Sequence, residues 1–376
     1  VLPHAVRELT ELGLQEELLA LGIPTARLAY YSRRGQEIWS EPRGLAAGYS
    51  WPQVSIHRGE LQMLLTRTVR DRLGPDVLAT GHALTSWEAR GARIVARFAD
   101  RSGRQIAEVE GDVLVAADGI HSTARATLHP DEGPPIWNGA ILWRGTAVAA
   151  PFLGGRTMIM AGHEFQKFVC YPLRDLADGR QLINFVAERK FSTDQPWRRE
   201  DWNRAGRVED YLPPFEDWTF DWLDVPGLIR AADKVYEYPM VDRDPLDAWS
   251  HGRLTLLGDA AHPMYPIGSN GASQAILDAR VLTRELLAQG TTPAALTAYE
   301  AERLPATAKI VTANRGNGPE QVMQMVEERA PDGFERIDDV LSEAEREGTA
   351  AAYKRLAGFD KDALNARPPI VPEAAA

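Results

Sequence analysis

Cysteine is almost missing from this chain of 376 residues: Cys170 is the only one. No internal disulfide and no thiolate metal cage can be built from it, and a reducing, cytoplasmic setting fits best. Within the apolar run 168–171, Cys170 reads as a small core residue rather than a reactive thiol. Long apolar stretches are missing too. Runs such as 113–117 fall far short of the roughly 20 residues needed to span a bilayer, and the opening residues, with His4, Arg7, Glu8 and Glu11, do not form a secretory signal. Positive charge is in deficit, 42 Lys and Arg against 53 Asp and Glu, for a net charge of −11. That argues against a nucleic-acid binder, which needs a basic face, and against docking on anionic membranes. No spacing of His, Cys and Asp suggests a metal, and no Gly-x-Ser-x-Gly elbow suggests a hydrolase.

What is present is enough apolar sequence for two lobes. An amphipathic helix carries Leu2, Val6, Leu9 and Leu12, and a hairpin of short strands is expected at 27–31 and 36–39. A second helix places Arg58, Leu61, Leu65, Val69 and Leu73 at helical spacing, closed by Gly74-Pro75. Strands are expected at 77–80, 83–88, 93–99 and 105–110, then a continuous apolar strand at 112–117 of the kind buried in a parallel sheet. From 137 the texture becomes alternating and aromatic-rich, with segments 140–147, 156–160, 167–171, 182–187 and 234–238 predicting an antiparallel sheet covered by short helices within 201–230. A second buried strand at 253–257 leads through a loop into a long helix, 270–287; helices fill 292–356, and 365–376 reads as a loose tail. The fold class is α/β: a Rossmann-like lobe interrupted by an antiparallel substrate domain, followed by C-terminal helices. The expected divisions are 1–136 and 246–315 for the first lobe, 137–245 for the inserted domain and 316–376 for the C-terminal helices and tail.

Three segments carry chemistry. In the first, the strand 253–257 ends at Gly258-Asp259, followed by Ala-Ala-His262-Pro-Met264-Tyr265-Pro266-Ile-Gly268-Ser-Asn270-Gly271-Ala272. It presents a carboxylate at the C-terminal edge of a strand, where open α/β sheets bind ligands. The helix that follows offers free N–H groups and a positive dipole end. His262 reads as loop-shaping rather than as a catalytic base. In the second, a strand delivers Asp118-Gly119, with Ser122 placed to cap the next helix and Arg125 after it. In the third, His57-Arg58-Gly-Glu60-Leu-Gln62 opens a helix. An arginine there opposes the helix dipole unless an anion, or a salt bridge to Glu60 or Glu41, offsets it.

Together these strings resemble the FAD-dependent group A aromatic-ring hydroxylases, the family of salicylate and para-hydroxybenzoate hydroxylases, with wording nearest the phenazine-modifying flavin monooxygenases. The resemblance runs in order from Val1 to about Arg315. It implies that Asp259, after Gly258, binds the ribityl chain, and that the loop of Pro266, Gly268 and Asn270 lies against the flavin, with Gly271 and Ala272 presenting N–H groups. Asp118, Gly119, Arg125, Arg58 and Gln62 are implied on the FAD, with Leu84 beside them. The implied activity takes NAD(P)H and O2 and hydroxylates a small aromatic substrate, phenolic or phenazine-like, through a flavin C4a-hydroperoxide. The flavin does the chemistry, so no catalytic side chain is expected. The pocket is expected between the antiparallel sheet and the loop, lined by Tyr171, Tyr238, Met264, Tyr265 and Pro266.

The family opens with a strand, a Gly-x-Gly-x-x-Gly turn and an acidic residue on the second strand, and this pattern does not occur here. Gly316-Asn-Gly318, flanked by no strand, is no substitute. The opening helix resembles the one that follows the second strand, so about 40 further residues are expected upstream in a parent protein. Without them the adenine end of FAD is expected to be weakly held. The residues leave open an FAD-dependent oxidoreductase that inserts no oxygen, and a fragment without catalysis. They set neither NADH against NADPH nor the oligomeric state, a homodimer included.

Overall fold

The computed structural model describes residues 1–194 and 204–372. Its largest element is a seven-stranded sheet, in spatial order Ala232–Asp242, Ile136–Ala149, Gln181–Lys190, Gln166–Asp175, Thr157–His163, Arg27–Tyr31 and Glu37–Pro42. Neighbours are antiparallel except where Arg27–Tyr31 runs parallel to Thr157–His163. Side chains alternate between the faces. Trp143, Phe168, Cys170 and Phe185 lie on the outer face, beneath Phe215, Trp218, Leu228 and Ile229. Leu142, Met160, Val169 and Val186 lie on the inner face, which meets Tyr265 and Ile267 of the long loop and Val322, Met323 and Val326 of a C-terminal helix. Cys170 is fully buried, and burial pushes its thiol well up.

The Rossmann-like lobe, first in the sequence and called the second lobe from here on, is built on the parallel pair Leu254–Leu256 and Leu114–Ala116. The helices Gly271–Gln289 and Pro293–Arg315 pack with this pair in one core. A separate three-stranded sheet, Ala83–Arg90, Arg93–Ala99 and Gln105–Gly111, stands beside it. Among the described residues no helix is long and apolar enough to cross a membrane, and no cluster of His, Cys, Asp and Glu could hold a metal ion.

Three expectations need correction. The hairpin at 27–42, read as part of the first lobe, pairs into the large sheet; both faces of Arg27–Tyr31 are apolar and buried (Leu28 and Tyr30, Ala29 and Tyr31), which suits an interior strand. Residues 77–80 form no strand. Pro75–Val77 is a 3-10 turn, and the exposed Val77 and Leu78 have no apolar surface to pair against. The expected helix at Arg58 forms and ends at Gly74; Leu64 is its buried residue, with Leu61 and Leu65 half-buried beside it and Leu73 66% exposed. The tail is anchored rather than loose: Asn365 donates to the Gly48 carbonyl at 2.9 Å, and Ile370 is buried. Residues 201–203 and 373–376 of the expected helices and tail lie outside the described residues.

One buried carboxylate ties the second lobe together. Asp278, on the Gly271–Gln289 helix, accepts from the Gly258 N–H at 3.2 Å, from His262 Nε2 at 2.5 Å and from Arg303 Nε at 2.7 Å. Arg303 also donates to Gln274 Oε1 at 2.6 Å, and Gln274 Nε2 donates to Asn270 Oδ1 at 3.0 Å. Burial alone would raise the Asp278 carboxyl, but His262 and Arg303 outweigh it and hold it below the usual range. A depressed folded-state value stabilises the fold above the unfolded pKa of about 4, and that stability is lost as pH falls through the folded value. Replacing Asp278 by Asn should cost about 3–5 kcal/mol, because it strands the Arg303 charge. Urea unfolding at neutral pH measures this, and the variant should show a shallower loss of stability between about pH 5 and 2 than the parent.

Candidate active site

Two strand ends and one helix start converge on the long loop. Gly258, at φ 61°, turns the chain out of Leu254–Leu256, and the 3-10 turn Gly258–Ala260 leaves Asp259 exposed. Its carboxylate takes no hydrogen bond from the described residues, unlike the buried Asp278 one turn of structure below. The loop then runs to Gly268, at φ 69°, where an added Cβ would collide with the Tyr353 hydroxyl. That hydroxyl donates to the Ile267 carbonyl at 3.3 Å and to Asn314 Oδ1 at 2.9 Å, while Asn314 Nδ2 donates to the Tyr265 carbonyl at 3.0 Å. The loop is therefore held from below by C-terminal helices. No side chain caps the helix that starts at Gly271, so the N–H groups of Gly271 and the exposed Ala272 remain for a ligand.

Asp118 is also exposed, beside Gly119 at φ 80°; one oxygen accepts from the Thr123 N–H at 2.8 Å, which leaves the other for a ligand. Ser122 caps the short helix as expected, accepting from the Arg125 N–H at 2.9 Å. Arg125 is placed differently from the expectation. It is 1% exposed and donates to the carbonyls of Ala260 (3.1 Å), Ala261 (2.7 Å) and Asp244 (2.8 Å) and to Glu132. With all three guanidinium nitrogens engaged inside the protein, it locks the Asp118 turn to the Asp259 turn instead of facing a ligand.

Arg58 begins the helix Arg58–Leu73 and is exposed, with His57 Nδ1 accepting from the Gly59 N–H at 3.2 Å. Glu41 does not compensate it, being bound to Arg43 at 2.7 Å and Lys354 at 2.6 Å. Among the described residues neither Glu60 nor any other carboxylate forms an ion pair with Arg58, so the helix starts with a cation that an anion would relieve. Gln62 is exposed one turn on. Leu84 is half-buried and packs against the core that holds Leu254, Leu256, Ala260 and Ala261.

Opposite the loop, Tyr171 and Tyr238 sit half-buried on the inner sheet face with Leu142 and Val186. Burial raises the Tyr238 phenol, so it stays protonated at neutral pH. Tyr265 is buried against this face, and Pro266 is half-buried beside it. Met264 turns away, packing with Tyr49, Tyr353 and Phe359. A small cavity lined by Leu28, Tyr30, Met158, Met160, Gly268 and Tyr353 opens at the other end of the same face, away from Tyr171 and Tyr238. Sequence reasoning missed Arg144 and Asn184, which share the inner face. Their parity with Leu142 and Val186 on alternating strands was the available signal.

The exposed Asp259 and Asp118, the uncapped helix start at Gly271 and the uncompensated Arg58 suit a polyhydroxylated, phosphate-bearing cofactor with a flat ring. Known proteins agree. A family model described as an FAD binding domain matches residues 234–314. The phenazine 1,6-dicarboxylic acid hydroxylase PhzS of Lysobacter antibioticus is 47% identical over 320 residues, 84% of this chain and 78% of that protein. The 3-amino-4-hydroxybenzoate 2-monooxygenase PtnB3 of Streptomyces platensis is 34% identical over 301 residues, 77% of this chain and 70% of the relative. A salicylate hydroxylase solved with its substrate superposes with a TM-score of 0.72 at 21% identity, covering 100% of this chain and 90% of that one, a likeness of fold. The chain belongs to the FAD-binding group A flavin monooxygenases and is an FAD-dependent aromatic hydroxylase.

Proposed function

We propose that this enzyme hydroxylates a fused aromatic ring of the phenazine type, held between the inner sheet face and the loop 262–272. The observation that carries the reading is the apposition of Tyr171, Tyr238 and Leu142 with Tyr265 and Ile267, an aromatic wall meeting a flavin-type loop. The 47% identity to a protein named for a phenazine dicarboxylic acid supports a substrate of that kind.

Asp259 would hold the ribityl hydroxyls, and Gly271 and Ala272 would give their N–H groups to the flavin ring. Asp118 would bind beside them, and Arg58, with Gln62 a turn away, would supply positive charge to the phosphates. Gly258, Gly119, Pro266, Gly268 and Asn270 shape the turns that bring these groups together, and Arg125 positions two of them. When bound and reduced by NAD(P)H, FAD supplies the oxygen-activating chemistry. The protein's share is then orientation and exclusion of water. Tyr171 and Tyr238 would present their rings to the substrate, while Leu142, Val186 and Ile267 would keep the space dry.

Removing the exposed Asp259 carboxylate by Asp259→Ala should weaken FAD binding roughly 10- to 100-fold, the worth of about 1.5–3 kcal/mol for hydrogen bonds to a charged group. The flavin-free melting temperature should stay unchanged; flavin fluorescence titration and thermal denaturation give the two numbers. For the activity, product analysis with NAD(P)H and a panel of phenols and phenazines should yield a hydroxylated phenazine in preference to peroxide. NAD(P)H consumption that yields only peroxide, or a reduced product without added oxygen, with every ring in the panel would sink the reading.

A further inference from the structure

We propose that Arg144, assisted by Asn184, is the anchor for a ring carboxylate of the substrate, so that this enzyme selects ionised aromatic acids over their neutral counterparts. The inference rests on the reading of the inner sheet face as the substrate wall, and it names the groups on that wall that choose the ligand.

Arg144 lies in the strand Ile136–Ala149, directly between Val186 on one neighbouring strand and Tyr236 on the other. Asn184 lies one step along, between Thr146 and Tyr171. By the two-residue period all of these point to the face that carries Leu142, Val169 and Val186. The strand is paired on both sides, one in from the sheet edge, and the guanidinium Nε is closed off from solvent there, where a cation is expensive to keep. Arg144 Nε and Asn184 Nδ2 are both closed off from solvent and have no hydrogen-bond partner among the described residues.

The surrounding charges make the vacancy specific for an anion. Glu188, on the same face, is committed to Lys167 at 3.1 Å, and that lysine is also held by Glu320 at 2.5 Å. Glu237 belongs to the opposite face, where it accepts from Arg204 at 3.1 Å and from Trp143 at 3.2 Å. Among the described residues no carboxylate forms an ion pair with Arg144. Burial, and then the charge of Arg58, press the Arg144 guanidinium down to about 10, against weaker support from Tyr171, Tyr238 and Glu188. A folded-state value below the unfolded one means that the charged form opposes folding at neutral pH. Such a group is retained at a cost to the free protein, and an incoming carboxylate would satisfy it with a charge-assisted, two-pronged hydrogen bond. The amide of Asn184 would take a neighbouring acceptor on the same ring system.

The test uses the FAD-loaded protein with two probes that share one ring, phenazine-1-carboxylate and phenazine-1-carboxamide, and reads binding from the perturbed flavin absorbance and from equilibrium dialysis. The parent should bind the acid at least about tenfold more tightly than the amide. Arg144→Met should erase that preference while changing amide affinity by less than about threefold, Arg144→Lys should keep part of it, and Asn184→Leu should weaken both probes. Because the guanidinium opposes folding, the melting temperature of ligand-free Arg144→Met should equal or exceed that of the parent; a clear drop would mark a structural role and overturn the assignment. An acid-to-amide ratio unchanged in Arg144→Met, with both probes bound, would also overturn the anchor while leaving the substrate wall standing. If the parent takes up neither probe, the substrate reading itself fails and the anchor falls with it.

Discussion

The Asp278 carboxylate is the constraint on which the rest of this structure depends. It is fully buried, and three donors from different parts of the chain meet on it: the Gly258 N–H at the strand end, the His262 ring within the loop and the Arg303 guanidinium on the next helix. A buried charge is tolerated only when its partners are fixed. The strand end, the loop and two helices must therefore keep one geometry. That geometry carries Asp259 to the surface beside Asp118 and exposes the first N–H groups of the loop helix. Arg125 extends the same constraint sideways by joining the two aspartate turns.

The ligand-facing groups obey the opposite rule. Asp259 and Arg58 are exposed, Arg144 and Asn184 are unsatisfied, and the helix at Gly271 is uncapped. Charge is satisfied internally at Asp278, Arg125 and Lys167. Buried polar atoms without partners also occur elsewhere, at His4, His129 and Arg367 among others, so Arg144 and Asn184 stand out by their place on the sheet face opposite the loop and not by being unmet.

Much of this was legible in the sequence because it rests on local patterns. The strands of the large sheet after residue 136 follow from alternation, the buried strand at 254–256 from an unbroken apolar run, and the cap at Ser122 from its position before a helix. What was not legible depends on pairing across distance. The destination of the hairpin at 27–42 is set by a parallel partner some 130 residues away. Arg125 looked like a ligand group because its sequence neighbourhood is a binding motif; its acceptors, Ala260 and Ala261, are distant in the chain. Asp278 gave no signal, since one acidic residue on an amphipathic helix reads as a solvated position. Met264 and Tyr265 are adjacent, yet Met264 packs with Tyr49, Tyr353 and Phe359 and Tyr265 with the inner sheet face, a split that no local pattern announces.

The parallel contact between Arg27–Tyr31 and Thr157–His163 also bears on how separable the two lobes are. A contiguous stretch cut out at 137–245 would carry five of the seven strands but leave behind the two that close one side of the sheet. The excised piece would expose the Thr157–His163 edge along its length, an apolar strand with unpaired backbone groups and a ready template for pairing with other chains. The large sheet is therefore no transplantable module, and any chimera that exchanges it must carry residues 27–42 along.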